Sequence, residues 1–286
     1  MAQQVISGLA AGSSYALLAL GLVVTMKTTS VPNFAMGAMG LLPVYVIRSL
    51  WSQLHLPYGL AILAGIVVAF GMGWVVERLT IRHLIGLSHF TTVLMTIGIW
   101  FALNSIVGLL WGYEPQPLPG LVSGSFDLGQ VVVTNAQLMT LAVGLAIAGW
   151  LIVFFRTTWG VRMRAVAEDP LVPRLLGVRV ATISGLSWAI ASGIAAIAVL
   201  LSAQASVLNP QSGDDLIISG FVAATAGGFS SIGGAVIGGL ALGVLENLAG
   251  AYLSGAAAST VALLGIMVIL LVRPTGLLGP GTGREV

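Results

Sequence analysis

Ionisable side chains that could act inside a membrane are scarce in this sequence. Glu246 is the one carboxylate that falls clearly within a long apolar stretch, and Arg48 lies near the outer end of another. Because a lone carboxylate in lipid costs several kcal/mol, we expect Glu246 either to pair with Arg48 or to meet the ammonium group of a passing solute. Proton and sodium pumps usually need several intramembrane carboxylates. Their scarcity argues against an ion-driven carrier.

The sequence also contains no recognisable catalytic or metal-binding motif. The chain has no cysteine, and its three histidines (His55, His83 and His89) lie in unrelated contexts, which disfavours a metal site. No GxxxxGK[ST] pattern occurs, since the only lysine, Lys27, follows a methionine. The sequence therefore predicts a protein that is not an enzyme and has no catalytic residue, no metal and no cofactor of its own.

The composition indicates the elements that must hold these few groups. Of 286 residues, 57% are hydrophobic and only 7% are charged, and the mean hydropathy is +1.04. Soluble domains carry roughly 25% charged residues, so this chain is predicted to be an integral membrane protein. Its net charge of +2 predicts no nucleic-acid surface. No basic residue precedes Lys27, so no cleavable signal peptide is expected.

Continuous apolar runs of about 20 residues predict transmembrane helices. One candidate, Leu216–Phe229, has only 14 residues and is predicted to be tilted, broken or re-entrant, which leaves eight or nine spans. The predicted fold is an all-α polytopic bundle that forms one transmembrane domain over residues 1–286, with some helices short or broken. The other candidates are Val5–Met26, Phe34–Leu50, Pro57–Val76, Thr91–Trp111, Ala136–Phe155, Thr182–Ala203, Gly233–Tyr252 and Ala256–Val272.

The distribution of basic residues predicts how the bundle is oriented. Residues 156–179 contain five of the 11 Lys and Arg residues, and residues 77–90 contain two more. By the positive-inside rule both loops are cytoplasmic. Residues 112–135 and the segment around Asp214 and Asp215 contain no basic residue and are predicted to be external. Nine crossings would place the N-terminus outside.

Glycines are predicted to pack the helices against one another. The chain contains 38 glycines, and several recur at a spacing of four residues, which places them on one helix face. Such small-residue faces let helix backbones approach closely in lipid. The GxxxG pairs are Gly8 with Gly12, Gly234 with Gly238, and Gly239 with Gly243.

The cytoplasmic segment 156–180 has the sequence pattern of two short helices. Pro170 permits a fresh helix start, Leu171 and Leu175 continue an apolar face, and Gly177 supplies a stop. The segment is either a basic loop that only obeys the positive-inside rule or a docking element for a cytoplasmic partner. The residues predicted to carry the docking role are Arg162, Arg164, Ala165, Glu168, Asp169, Pro170, Arg174, Leu176 and Gly177.

A second helix break is predicted after Lys27. The stretch Thr28–Pro32 is polar, and the residue before a proline is biased away from helix. The N-terminus of a helix that begins at membrane depth could face a substrate carboxylate. The alternative is an ordinary cytoplasmic turn. Under the first hypothesis the translocation path is lined by Asn33, Phe34, Ala35, Gly37 and Glu246.

Four segments, in consistent order, resemble the LivH-type permeases of branched-chain amino acid ABC transporters. They are residues 8–21 leading into Asn33–Gly37, residues 164–177 (Arg-Ala-Val-Ala-Glu-Asp-Pro, then Leu-Leu-Gly), residues 227–239, and residues 273–279. Met36 stands where histidine is common in the Asn-Phe-Ala-His-Gly pattern of that family. The resemblance covers nearly the whole chain.

The resemblance implies a permease subunit of the bacterial inner membrane that works with several partners. These would be a homologous LivM-like permease or a second copy of this chain, two cytoplasmic ATPases that bind ATP and Mg²⁺, and a periplasmic substrate-binding protein. The segment around Arg164–Gly177 would then couple ATP hydrolysis to transport.

Other functions stay open at this level. Urea, short amides or aromatic acids are alternative substrates for a permease of this kind. An ion-coupled secondary amino acid carrier and a membrane scaffold or assembly subunit are alternatives from other classes.

Overall fold

The computed structural model describes residues 1–84, 88–128, 131–169, 171–253, 255–273 and 276–278. Its two short strands are β1 (Ser125–Leu128) and β2 (Val131–Thr134). The described helices are α1 (Ala2–Thr29), α2 (Met36–Ser52), α3 (Tyr58–Val76), α4 (Arg82–Leu84), α5 (His89–Trp111), α6 (Asn135–Phe154), α7 (Thr158–Glu168), α8 (Leu171–Leu175), α9 (Val180–Ser202), α10 (Ser212–Gly227), α11 (Ile232–Tyr252) and α12 (Gly255–Val272).

The predicted all-α membrane bundle is confirmed. Among the described residues, six helical segments are long and apolar enough to cross a membrane: α1, α3 with its continuation to Leu84, α5 from Phe90, α6, α9 and α11. Three further apolar helices are shorter, with 17 residues in α2, 16 in α10 and 18 in α12. The short candidate at Leu216–Phe229 corresponds to α10, which begins four residues earlier, at Ser212.

Two helices form the centre of the bundle. In the apolar windows of α1 and α9, 72% and 89% of the residues are buried, against 22% to 28% in α3, α5 and α6. α1 packs on α9, α10, α11 and α6, and α9 packs on α2 and α3. The peripheral helices therefore keep broad apolar faces for lipid or for another membrane subunit.

Glycines of α11 lie on two different faces of that helix. On one face, Gly239 and Gly243 lie against α1, where their neighbours include Ala16 and Gly12. On the other face, Gly234 and Gly238 lie against the backbone of α10 at Gly227 and Ala223. The two GxxxG pairs of α11 thus bring the helix into close contact with both neighbours.

Contacts between loops show which ends of the helices share a side. The Gln3 side chain, at the start of α1, donates to the Val132 carbonyl at 2.9 Å and accepts from the Val132 N–H at 2.8 Å. Gln116 and Leu208 exchange backbone hydrogen bonds of 2.8 and 3.1 Å. At the other end of α1, the Ser30 hydroxyl donates to the Ala167 carbonyl of α7. This separation matches the predicted external and cytoplasmic loops.

The external loop 112–135 contains a β-hairpin that the apolar pattern did not predict. β1 and β2 pair antiparallel with Ser125 opposite Thr134. Thr134 also begins α6, because its hydroxyl accepts from the Gln137 N–H while the Gln137 side chain accepts from the Thr134 N–H. The hairpin is thereby joined directly to a membrane helix.

Candidate functional site

The chain re-enters the membrane between α1 and α2. Met36, the first residue of α2, lies beside Gly21 of α1, where an added Cβ would be 3.4 Å from the Met36 Sδ atom. Gly21 precedes the end of α1 at Thr29 by eight residues, which is about 12 Å at 1.5 Å per residue. The segment Val31–Ala35 therefore runs back to membrane depth, and α2 starts there rather than at the cytoplasmic surface.

Asn33 makes the turn that starts α2. Its Oδ1 atom accepts from the Ala35 N–H at 3.0 Å, and its amide nitrogen donates to the Met39 sulfur at 3.3 Å. The side chain is fully buried, and both of its polar atoms are used by neighbouring residues. Asn33 therefore stabilises the discontinuity, and in this conformation it does not line any of the cavities described below.

The other predicted path residues near α2 lie close to α10. The Phe34 ring is 37% exposed and stacks on Phe221 with ring centroids 4.7 Å apart. Ala35 is fully buried, and Gly37 lies against Gly213, the second residue of α10. The start of α2 and the start of α10 therefore meet.

α10 also begins inside the membrane. Asp214, in its first turn, accepts hydrogen bonds from Trp100 Nε1 at 2.6 Å and from Asn104 Nδ2 at 3.2 Å. Asn104 lies seven residues, about 10 Å, inside the external end of α5 at Trp111. The prediction that Asp214 and Asp215 belong to an external loop is therefore wrong: they are the third and fourth residues of an inserted helix. Asn104 forms an interhelical hydrogen bond, as such residues commonly do in membranes.

Two helix N-termini thus meet at the contact between Gly37 and Gly213. Each N-terminus carries partial positive charge. In the first turn of α10 the N–H groups of Ser212, Asp214 and Asp215 already donate to the carbonyls of Asn209 and Gln211. Asp214 and Asp215 place negative charge at the α10 terminus, which is the favourable end of the helix for carboxylates. Discontinuous helices of this kind at mid-membrane form substrate and ion sites in other transporters.

The acidic cavity, a polar space of about 490 Å³, lies beside the start of α10. Its lining includes two carboxylates and no basic residue, and the Tyr15 hydroxyl neighbours both Glu246 and Ser219. Leu216, Ile218, Val222 and Leu263 form its apolar wall. The polar lining includes Tyr15, Ser202, Asn209, Asp215, Ser219 and Glu246.

A second cavity, the neutral cavity of about 610 Å³, adjoins the acidic cavity and shares Tyr15 and Ser202 with it. It lies below the external hairpin, since Gly124 and Thr134 line it, and its remaining polar residues, such as Gln137, are uncharged. The two cavities form one polar region in the outer half of the bundle. Tyr15 stands between the neutral part and the acidic part.

Glu246 is placed to act on a solute in the acidic cavity. It lies six residues, about 9 Å, inside the end of α11 at Tyr252. The proposed pairing with Arg48 is not found: among the described residues the only ion pair within 4 Å joins Arg82 to Glu77. Arg48 does not line the acidic cavity. The Glu246 carboxylate is therefore free to attract a cationic group in the cavity.

The sequence interpretation missed another buried carboxylate, Glu77. It is fully buried where α3 passes into a π-helical turn, Glu77–Ile81. Its Oε2 atom accepts from Arg82 Nη2 at 2.9 Å, and the same nitrogen donates to the Ala181 carbonyl of α9 at 3.3 Å. Glu77 and Arg82 are five residues apart, which is one π-helical turn. This spacing of an acid and a base is the signal that could have revealed the pair.

The cytoplasmic segment 156–180 does contain two short helices with different faces. On α7, Met163 and Val166 are buried against the bundle, while Arg162, Arg164, Glu168 and the following Asp169 are exposed. Asp169 accepts from the Leu171 N–H at 2.7 Å and so begins α8. Pro170 lies outside the described residues. The segment is anchored on one side and open on the other.

The open side of this segment carries unpartnered apolar residues. Leu175 and Leu176 are 86% and 78% exposed, and Arg174 beside them is exposed as well. Gly177 ends the segment with a φ of +78°, a conformation that favours glycine. Ala165 is half-buried on α7.

Among the described residues, no group of His, Asp and Glu is arranged to hold a metal ion. The polar groups that line the two outer cavities are two carboxylates, hydroxyls and amides. They can bind and orient a small polar solute.

Comparison with known proteins places these features in a family. Residues 4–272 match the family described as the permease component of branched-chain amino acid transport systems. The chain is 33% identical to the high-affinity branched-chain amino acid transport permease protein LivH of Escherichia coli K12, over 97% of this chain and 95% of that protein. Identity and coverage are the same for BraD, a permease protein of the same kind from Pseudomonas aeruginosa.

More distant proteins extend the comparison. A probable branched-chain amino acid transport permease LivH of Methanocaldococcus jannaschii is 27% identical over 92% of this chain and 88% of its own length. A chain of the PsaBC complex from Streptococcus pneumoniae has a similar fold, with a TM-score of 0.51 and 14% identity over 96% of this chain and 92% of that chain. At this identity the similarity concerns the fold alone.

Proposed function

The chain belongs to the family of permease components of branched-chain amino acid transport systems, and from this premise we propose that it forms the membrane passage of an ATP-driven importer for branched-chain or related hydrophobic amino acids. The resemblance found in the sequence is confirmed by these matches. The relatives are named as permease proteins of branched-chain amino acid transport systems, and this chain is accordingly a multi-pass protein of the bacterial inner membrane.

The observation that carries the proposed substrate class is the composition of the acidic cavity. A branched-chain amino acid has an ammonium group, a carboxylate and an aliphatic side chain. Asp215 and Glu246 supply negative charge for the ammonium group, and Leu216, Ile218 and Val222 supply an apolar wall for the side chain. The partial positive charge at the start of α10 would attract the carboxylate.

The meeting point of α2 and α10 is proposed as the inner closure of this passage. Gly37 and Gly213 are in backbone contact directly beside the acidic cavity, since Ser212 and Asp215 belong to its lining. A small rotation of either helix would open or close this contact, because the closest approach there is between the two backbones. Asn33, Phe34 and Ala35 would move with the start of α2.

ATP hydrolysis is proposed to act through α7 and α8. An ATPase can shift a permease only if it binds two permease states with different free energies. The exposed surface of Leu175, Leu176 and Arg174 offers such a contact, and Met163 and Val166 connect it to α1 and α9. We therefore propose two cytoplasmic ATPase subunits as partners.

Two further partners are proposed from the family. A homologous LivM-like permease, or a second copy of this chain, would cover part of the exposed apolar surface of the peripheral helices. A periplasmic substrate-binding protein would dock on the external side, where the hairpin and the loops around Gln116 and Leu208 lie.

The test is leucine uptake by the whole complex in proteoliposomes that contain ATP. We expect Glu246→Gln and Asp215→Asn each to lower uptake by at least about tenfold, since a charge-assisted hydrogen bond contributes about 1.5–3 kcal/mol. Folded yield should stay normal. Gly59→Ala, where an added Cβ meets nothing within 4 Å, is the control and should transport normally. Wild-type uptake in both cavity variants would contradict the proposed substrate site.

The same vesicles separate the alternatives. An ion-coupled secondary carrier would transport with this chain alone and an ion gradient. The neutral cavity, lined by groups such as Gln137 and Thr140, is the observation that favours a neutral amide as substrate. Uptake of labelled urea that an excess of leucine does not inhibit would favour that substrate class. A scaffold subunit would show no substrate dependence.

A further inference from the structure

A third cavity, of about 520 Å³, lies at the cytoplasmic end of the bundle. It is lined by the C-terminal turn of α1, the end of α6, one face of α7 and the start of α11. Three basic side chains line it, together with two serines and an apolar wall. The residues that matter here are Lys27, Arg156, Arg164, Ser231, Ile152 and Phe155.

The positive charge of this basic cavity is not neutralised within the part of the chain that the structure describes. Among the described residues, no carboxylate lies within 4 Å of Lys27, Arg156 or Arg164, and none lines the cavity. Glu168 follows Arg164 by one turn of α7 without forming an ion pair with it. The Lys27 ammonium lies 6.0 Å from the centre of the Phe155 ring. Three like charges therefore surround a space large enough for an anionic group.

The N-terminus of α11 adds donors to the same cavity. Ser231 begins this 21-residue helix, and its hydroxyl accepts from the Gly234 N–H at 3.0 Å. The N–H groups of Ile232 and Gly233 are left for an external acceptor. Ile232 itself lines the cavity. Helix N-termini with free N–H groups bind phosphate and carboxylate.

The position of the cavity relates it to the bilayer. Arg156 follows the end of α6 by two residues, and α6 is a span whose apolar window is only 22% buried. Ile152 lines the cavity and is itself exposed, as are Val153 and Leu145 along the same helix. The basic cavity is therefore continuous with an apolar surface that can take an acyl chain. A soluble anion would need only the charged part.

We propose that this cavity binds the phosphate headgroup of an anionic phospholipid from the cytoplasmic leaflet, with one acyl chain on α6. Basic pockets between helices on the cytoplasmic side are suited to anionic headgroups. Because α1, α6, α7 and α11 all line the cavity, a bound lipid connects the cytoplasmic segment to the helices that carry Tyr15 and Glu246.

The test measures lipid binding by the delipidated full-length chain in detergent, by native mass spectrometry and by thermal stabilisation. Phosphatidylglycerol should bind, phosphatidylcholine should not, and inorganic phosphate should not reproduce the stabilisation. The double variant Lys27→Gln/Arg156→Gln should lose about 30-fold in affinity for phosphatidylglycerol, which is about 2 kcal/mol at roughly 1 kcal/mol per basic side chain. Arg179→Gln, outside the cavity, is the matched control.

Several results would overturn the proposal. Equal phosphatidylglycerol affinity in the double variant and the wild type would place lipid binding elsewhere. Equal stabilisation by inorganic phosphate would indicate a free anion instead of a lipid. If the double variant binds phosphatidylglycerol normally but no longer binds the ATPase, the cavity is a protein-docking site. If the double variant fails to fold, Arg156→Lys against Arg156→Gln tests the same charge, with lipid affinity expected to fall by about fivefold in the glutamine variant and to stay near the wild-type value in the lysine variant.

Discussion

Gly37 of α2 lies directly against the backbone of Gly213 of α10, so that an added Cβ at Gly37 would collide with the Gly213 carbonyl group. Each residue is the second of its helix. Two helices that both begin within the membrane are thus held end against end by the absence of two side chains. The acidic cavity is formed next to this contact.

Gly37→Ala should therefore destabilise the start of α2. Overpacking of this kind costs about 1–3 kcal/mol, and transport should fall with it because the two helix ends can no longer meet. The melting temperature of the purified chain checks the first effect and vesicle uptake the second. Gly59→Ala is the control, since a Cβ there meets nothing within 4 Å. An unchanged melting temperature in Gly37→Ala would contradict the close contact.

A similar argument applies between α1 and α11. A Cβ at Gly239 would lie 2.6 Å from the Ala16 Cα atom and 2.7 Å from its Cβ atom. Gly239→Ala should lower the melting temperature, whereas Gly71→Ala, with open space around it, should raise stability by about 0.5–1 kcal/mol from helix propensity. The opposite signs make the pair informative. Equal shifts would show that α11 is not packed as described.

The hydrogen bond from Trp100 Nε1 to Asp214 holds the inserted start of α10. Trp100→Phe removes the donor and leaves a carboxylate with one fewer partner, which should cost about 1.5–3 kcal/mol of folding free energy. Denaturation of the purified chain measures this. Trp150→Phe is the control, because the exposed Trp150 ring stacks on Phe154 and phenylalanine keeps that stacking. Equal costs in the two variants would argue against the Asp214 contact.

The buried pair of Glu77 and Arg82 should behave asymmetrically. Arg82→Ala leaves a fully buried carboxylate without its cation and should cost about 3 kcal/mol, at the low end for buried pairs because the Arg82 side chain is 31% exposed. Adding Glu77→Gln to this variant should recover part of the loss. Thermal unfolding of the wild type, the single variant and the double variant measures the difference. If the double variant is no more stable than Arg82→Ala, then Arg82 stabilises the fold only through its hydrogen bond to the Ala181 carbonyl.

The exposed leucines of α8 should matter for assembly rather than for folding. Leu175→Ser/Leu176→Ser should leave the melting temperature nearly unchanged, because exposed substitutions usually shift stability by less than about 0.5 kcal/mol. It should weaken ATPase binding and reduce ATP-driven uptake by about tenfold or more. Co-purification with the ATPase measures the first effect. Val207→Ser changes an exposed residue on the external side and is the control, which should bind the ATPase normally. Normal ATPase binding by the double leucine variant would contradict the proposed role of α8.

Much of the fold could be predicted from the sequence because apolar length and basic loops report directly on the bilayer. The spans correspond to the observed helices, and the loops predicted as external share one side. Asp214 and Asp215 were misplaced because a polar first turn resembles a loop when only hydropathy is considered. Glu77 was missed because it ends an apolar run beside Arg78 and Arg82, where a charged residue normally marks the membrane surface.

The sequence by itself determined that this chain is a membrane protein. It also predicted which loops face the cytoplasm, and it showed the resemblance to a family whose ATP chemistry resides in partner subunits. Only the tertiary structure decided where charge is neutralised and where it is left open. Glu77 meets Arg82, Asp214 meets Trp100, and Glu246 meets no cation among the described residues. The physical reason is that hydropathy depends on local sequence, whereas pairing a charge depends on which distant helices pack side by side.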